Sequence, residues 1–145
     1  MKMTKAFTMI ELIFVIVVLG ILSAVALPRF QGVRDQADIA TGKAQVATIR
    51  AAIANERQRR LILGDSSYIT NANLSADGLF SGVLTTPLTN SNTASNWNAT
   101  AAQITAGTYF YNVGGTNTQF DYNSTDGSFD CTEDANDCNA LTNRD

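Results

Sequence analysis

The chain has 145 residues, enough for one domain or two, and 45% of them are hydrophobic while only 16% are charged. It holds no histidine and two cysteines, which excludes His-dependent zinc and haem sites, Ser-His-Asp and Cys-His catalysis, and any Cys-rich metal centre. The net charge of −3 divides unevenly, +5 over residues 1–60 and −8 over 61–145, and the acidic half would repel phosphate-bearing partners such as nucleic acid.

Residues 1–6 form a short basic leader with Lys2 and Lys5. Residues 7–27 are apolar except for one carboxylate, Glu11. As a helix this run would be about 31 Å long, close to the hydrocarbon thickness of a bilayer, so it reads as a transmembrane segment. Lys2 and Lys5 precede it and Arg29 and Arg34 follow it, so loop charge leaves its orientation open. Pro28 would end or kink a helix, since it lacks an N–H and crowds the preceding turn. Helical character resumes at once, which favours a kink. Ile39, Val46 and Ile53 recur at intervals of seven with Ile49 on the same stripe, and Gly64 reads as the C-cap after Leu61-Ile62-Leu63. One helix of more than 50 residues results, far beyond the usual dozen or so.

From Gly64 onward the chain is rich in Asn, Thr, Ser and Gly. Residues 85–103, with Pro87 and Trp97, read as an irregular surface loop, and 79–84 as a short element. Three antiparallel strands are expected after it. Thr108–Val113 leads to the Gly114-Gly115 turn, Thr118–Tyr122 alternates apolar and polar, and Ser128–Cys131 follows a second turn at 123–127. Such a small sheet needs a cover for its apolar face, and the Ile39/Val46/Ile49/Ile53 stripe supplies one. The expected fold is α+β: one long N-terminal helix, half membrane-like and half amphipathic, packed on a small antiparallel sheet. Its zones are 1–6, 7–27, 28–63 and 64–145.

Glu11 is the most informative residue. A carboxylate inside a membrane helix costs roughly 2.5–3.5 kcal/mol and marks function more often than accident; the bland alternative is a protonated Glu near the interface. Nothing else between Phe7 and Leu27 is charged. A cut before Phe7 would create an α-amino group near the level of Glu11, and an amine from a neighbouring copy could neutralise the acid only in an assembly.

The segment Ala6-Phe7-Thr8-Met9-Ile10-Glu11-Leu12-Ile13, followed by the apolar run to Pro28-Arg29-Phe30, resembles the N-terminus of bacterial type IV pilins and type II secretion pseudopilins. The resemblance covers about residues 2–60. It implies that a prepilin peptidase cuts between Ala6 and Phe7 and methylates the new amino group of Phe7. It implies that Glu11 pairs with the Phe7 amine of an adjacent subunit, and that Pro28 is the family's helix kink. The sequence departs from the family at Ala6, where Gly is usual.

A disulfide between Cys131 and Cys138 fits a domain outside the cytoplasm and resembles the C-terminal loop of type IV pilins, two free thiols being the alternative. Asp121, Asn123 and Asp126 with the acids at 130–137 half match a calcium loop; a solvated acidic surface is the simpler reading, and no metal ligand is named. Arg50, Arg57, Arg59 and Arg60 form a basic face, read as pairing with acids of this or neighbouring subunits rather than with DNA.

The functional expectation is a structural subunit, not an enzyme and without a cofactor. Its first form is a type II secretion pseudopilin and its second a type IV pilin of a surface fibre for adhesion, motility or DNA uptake. The expected partners are other pilin-like subunits, the prepilin peptidase, an inner-membrane assembly platform and, before assembly, membrane lipid. The expected location is the bacterial inner membrane, N-terminus cytoplasmic and C-terminal domain periplasmic, or an extracellular fibre. Three alternatives stand beside it. The first is a membrane-anchored binding domain. The second is a secreted domain released after Ala24-Val25-Ala26. The third is a tethered hydrolase, which the absent His, phosphate loop and Gly-x-Ser-x-Gly motif oppose.

Overall fold

A computed structural model describes residues 7–132 and 136–142, the side chains of 26–31 and 136 excepted. The chain divides into two compact units, residues 1–34 and 35–145. One helix, α1 (Met9–Ile62, 54 residues), enters both. It starts at Thr8, whose hydroxyl accepts the backbone N–H of Glu11 at 3.3 Å. The sequence Thr8-x-x-Glu11 is a capping-box pattern, and it places an acid in the first turn, where the helix dipole favours it. The backbone is helical through Pro28, whose side chain lies outside the described ones, so the helix does not end there. The far end closes on Gly64 at φ 85°. Gly64 N–H donates to Leu61 O (3.1 Å) and Asp65 N–H to Arg60 O (2.9 Å), satisfying two carbonyls of the last turn.

In the second unit the remaining elements follow in order: α2 (Asn71–Leu74), β1 (Trp97–Asn98), α3 (Ala101–Ala106), β2 (Thr108–Val113), β3 (Thr116–Tyr122), β4 (Phe129–Cys131) and α4 (Asn136–Thr142). The strands form one antiparallel sheet in the order β1-β2-β3-β4. The three expected strands are present, and a two-residue strand joins them at the edge. The expectation of a surface loop over 85–103 is corrected in part. Trp97 is 1% exposed and lies at the heart of the core, and α3 begins within that stretch. Thr100 accepts the N–H of Gln103 while the Gln103 side chain accepts the N–H of Thr100, a complete capping box.

The core forms where the stripe on α1 meets the inner face of the sheet. Val46, Ile49 and Ile53 are buried and Ile39 packs at the margin, at about 1.5–3 kcal/mol per fully buried aliphatic side chain. Opposite them stand Tyr109, Tyr111, Phe120 and Phe129, with Phe80 and Trp97 filling the centre. Ring centroids such as Phe80–Tyr109 (4.5 Å) and Trp97–Phe120 (5.1 Å) lie in the range where aromatic pairs attract.

Polar contacts flank the apolar stripe on α1. Trp97 Nε1 donates to Gln45 Oε1 (2.8 Å), and the Tyr111 hydroxyl donates to Asp38 O (2.8 Å). The Asp38 carboxylate accepts from the Ser95 hydroxyl and from Gly114 N–H (3.1 Å). Further along, Arg50 donates to Phe129 O (2.9 Å) and Asp130 (2.9 Å), and Arg57 to Ser67 O (3.2 Å). These directional bonds fix the rotation of the helix about its axis, which apolar burial alone leaves loose.

At Gly42 the helix packs closely against Tyr111 of β2 and Leu141 of α4. A Cβ there would stand 2.6 Å from Leu141 Cδ2 and press on the Tyr111 ring, whereas one at Gly32 would meet nothing within 4 Å. Gly42→Ala should therefore lower stability by about 1–3 kcal/mol through overpacking. Gly32→Ala should be neutral or stabilising by up to about 1 kcal/mol, as in an exposed helix interior. Thermal melts of the two variants check this, and equal melting temperatures would contradict it.

Tyr122 donates its hydroxyl proton to Ile69 O at 2.8 Å, and burial pushes its pKa from 10.0 up to about 12. A raised pKa means stability that is complete below the unfolded value and lost as pH rises through the window from 10.0 to about 12. Burial raises Tyr109 and Tyr111 in the same direction. Tyr122→Phe should make the alkaline loss of stability shallower, read from urea midpoints at stepped pH; an unchanged slope would count against this assignment.

Candidate functional site

The candidate site is the N-terminal end of α1. Ala6 lies outside the described residues. Phe7 is 78% exposed, and of the side chains that follow, Met9, Ile10, Leu12, Phe14 and Ile16 are each more than half exposed. The exposure continues through Leu19, Ile21, Leu22 and Val25. An apolar surface of this extent does not persist in water; lipid or protein must cover it. Among the described residues no helix is long and apolar enough to cross a membrane. The described side chains of the run stop at Val25, and residues 26 and 27 of the segment read from the sequence lie outside them.

Glu11 sits in the first turn of this rod and is exposed. Its backbone N–H is taken by Thr8, through the carbonyl (3.1 Å) and the hydroxyl (3.3 Å). Its carboxylate makes no ion pair or hydrogen bond among the described residues. Phe7 lies just before the cap, four residues ahead of Glu11. The cap at Thr8 holds the carboxylate at a defined height on a rigid element while leaving its oxygens open. The Thr-x-x-Glu pattern was readable in the sequence; only its Thr8 half forms here, the hydroxyl accepting Glu11 N–H.

In the second unit the structure gathers the other residues singled out by sequence. Cys131 at the end of β4 and Cys138 in α4 are joined by a disulfide, with Cα atoms 5.8 Å apart. The bridge ties α4 to the sheet edge, where Leu141 enters the core. The basic face on α1 is occupied from within the chain. Arg50 pairs with Asp130 at 2.9 Å, Arg59 and Arg60 with Glu56 at 2.7 and 2.9 Å, and Arg60 with Asp65 at 3.2 Å. Arg57 stacks over the Tyr68 ring, 4.6 Å from its centroid. The hydrogen bond from Arg59, with that from Arg60, holds the Glu56 carboxyl below its usual range against the opposing effect of burial. These contacts match the reading of a self-paired basic face.

The acidic turn between β3 and β4 is likewise used locally. Asn123 Oδ1 accepts Thr125 N–H and Asp126 Oδ1 accepts Ser128 N–H, each at 2.9 Å. Ser128 holds the Asp126 carboxyl below its usual range. Among the described residues no three carboxylate or thiol side chains gather as metal ligands.

Comparison with known proteins bears on the N-terminal segment. The family described as the prokaryotic N-terminal methylation motif matches residues 1–27. The type IV narrow pilus major component PilA5 of Thermus thermophilus is 52% identical over 50 residues, which is 34% of this chain and 43% of that protein. The match thus spans less than half the length of that curated relative. No solved structure matches the chain.

Proposed function

We propose that this chain, whose N-terminal segment matches the prokaryotic N-terminal methylation motif and is similar to that of a type IV pilus component, is a type IV pilin-like structural subunit of a helical fibre. Members of the type IV pilin and pseudopilin family are anchored in a membrane before assembly, are processed by a prepilin peptidase and polymerise. The observation that carries the reading is the exposed apolar rod with a single acid one turn from its start, its carboxylate unengaged.

Residues 7–27 would span the inner membrane once, with residues 1–6 cytoplasmic and 64–145 periplasmic. The peptidase would cut between Ala6 and Phe7 and methylate Phe7. The small side chain of Ala6 fits a position where the family has Gly. The free amine of Phe7 would then meet Glu11 of the adjacent subunit as the assembly platform lifts each copy out of the bilayer. In lipid, apolar helices gain little by burying surface against one another. Withdrawn from lipid, the same surfaces must cover each other, and the hydrophobic effect holds the fibre core. The Glu11–amine pair would set the axial register, since each unpaired charge in that core costs several kcal/mol. Pro28 would let the helix bend between its core half and the half that carries the sheet.

Between the two fibres the family builds, we favour the type IV pilus. The relative cited above is a pilus component, and the Cys131–Cys138 bridge resembles the C-terminal disulfide loop of type IV pilins. A type II secretion pseudopilus shares every step up to assembly; a fibre confined to the periplasm would favour it.

Glu11→Ala should leave membrane insertion unchanged and reduce fibre yield at least tenfold, as measured by shearing and sedimentation. Glu11→Asp, which keeps the charge but shortens its reach, should lie between. Normal fibres from Glu11→Ala would overturn the register role.

A further inference from the structure

The sequence carries three Asn-x-Ser/Thr triplets: Asn73-Leu74-Ser75, Asn98-Ala99-Thr100 and Asn123-Ser124-Thr125. Such a triplet can be glycosylated on the Asn amide only where both ends reach an enzyme. The fold treats the three differently. Ser75 is 5% exposed, and its hydroxyl is engaged by the Tyr109 hydroxyl (3.0 Å) and Phe80 N–H (2.8 Å). Asn98 lies in β1 with its Nδ2 shared between Asn92 (3.2 Å) and Asn117 (3.3 Å), and Thr100 caps α3.

Asn123 and Thr125 are both exposed, on the turn that follows β3. The turn is held in one shape by its backbone: Asn123 N–H donates to Ser128 O (2.9 Å) and Gly127 N–H to Asn123 O (2.8 Å). Asn123 Oδ1 accepts Thr125 N–H at 2.9 Å. That bond draws electron density toward the carbonyl and makes the Nδ2 protons more acidic. Nδ2 itself has a single neighbour, Asp126 Oδ2 at 3.5 Å, too long to hold it. A carboxylate also stands two positions upstream, Asp121, where the other two triplets have Asn71 and Asn96. The Asp121 carboxylate accepts Gln119 Nε2 (3.2 and 3.0 Å), and this triplet alone carries an acid at that place.

We propose that Asn123 is an N-glycan acceptor, modified from an oligosaccharide linked through a diphosphate to a polyisoprenyl lipid. In the transfer Asn123 Nδ2 forms a bond to the anomeric carbon of the first sugar. The bond from that carbon to the diphosphate oxygen breaks, and the lipid diphosphate leaves with the electron pair. Nδ2 gives up one proton to the transferase base, and nothing is oxidised or reduced. The glycan would crown the β3–β4 turn with a bulky polar group. The proposal rests on the periplasmic orientation of residues 64–145 argued above.

The test is co-expression of the full chain with a bacterial oligosaccharyltransferase and its lipid-linked donor, in cells that also carry a reference acceptor protein. Peptide masses score Asn73, Asn98 and Asn123, and thiol alkylation scores the Cys131–Cys138 bridge. The expected result is an oxidised bridge and a glycan mass on the Asn123 peptide alone. Asn123→Gln and Thr125→Ala should lose it, and Thr125→Ser should keep it. An oxidised bridge and a glycosylated reference with Asn123 bare would overturn the proposal and leave the orientation standing. Glycan on Asn73 or Asn98 instead would overturn the structural selection. Free thiols with Asn123 bare would overturn the orientation, and the proposal with it.

Discussion

A carboxylate fixed in the first turn of an apolar helix is the constraint on which the rest depends. Glu11 cannot be comfortable in lipid or in a dry core unless a positive charge reaches it. Thr8 holds its backbone in place through the cap, so fraying the helix end to free the acid costs about 1 kcal/mol. The apolar residues beside it favour any environment without water, and the acid tolerates such an environment only with a cation near. In the proposed fibre, together they would turn a sticky rod into one with a preferred register. An apolar rod without Glu11 could slide along its neighbours at little cost, since one apolar contact resembles the next.

The second unit meets a different demand, holding a small sheet firmly to the distal half of the same helix. Burial of Val46, Ile49 and Ile53 supplies the attraction. The bonds from Trp97 to Gln45, from Ser95 and Gly114 to Asp38, and from Arg50 to Phe129 and Asp130 set the angle. Each joins the helix to a strand or to a loop beside one. A side chain that supplies cohesion alone would be replaceable by another of its size; these polar partners are not, because each would leave a partly buried donor or acceptor unmet.

Much of this was legible in the sequence because it rests on local periodicity. The seven-residue recurrence of Ile39, Val46 and Ile53 announced the buried face of α1, and Gly64 its end. The aromatic run at 108–113 with Gly114-Gly115 announced the β2–β3 hairpin. What escaped was either too short to have a period or decided by distant contacts. A two-residue strand has no alternation, so Trp97 was lost among asparagines although it anchors the core. The Thr100-x-x-Gln103 box preceding α3 was a readable signal in a stretch whose polar composition suggested a loop. Asp38 looked like any surface acid on a helix; its role comes from Ser95 and Gly114, more than 50 residues away in sequence. At the N-terminus the balance reverses. The charge pattern around Glu11 was plain in the sequence, while the partner expected for it belongs to another copy of the chain.

Solid-state NMR on assembled fibres addresses the Phe7–Glu11 pair between subunits directly. Fibres would be grown from an equal mixture of two pools, one labelled with nitrogen-15 at Phe7 and the other with carbon-13 at the Glu11 carboxyl. A nitrogen–carbon correlation between differently labelled copies, corresponding to a separation within about 4 Å, is the predicted result. Its absence from well-formed fibres, with the Phe7 amine solvated or still blocked by residues 1–6, would contradict the account.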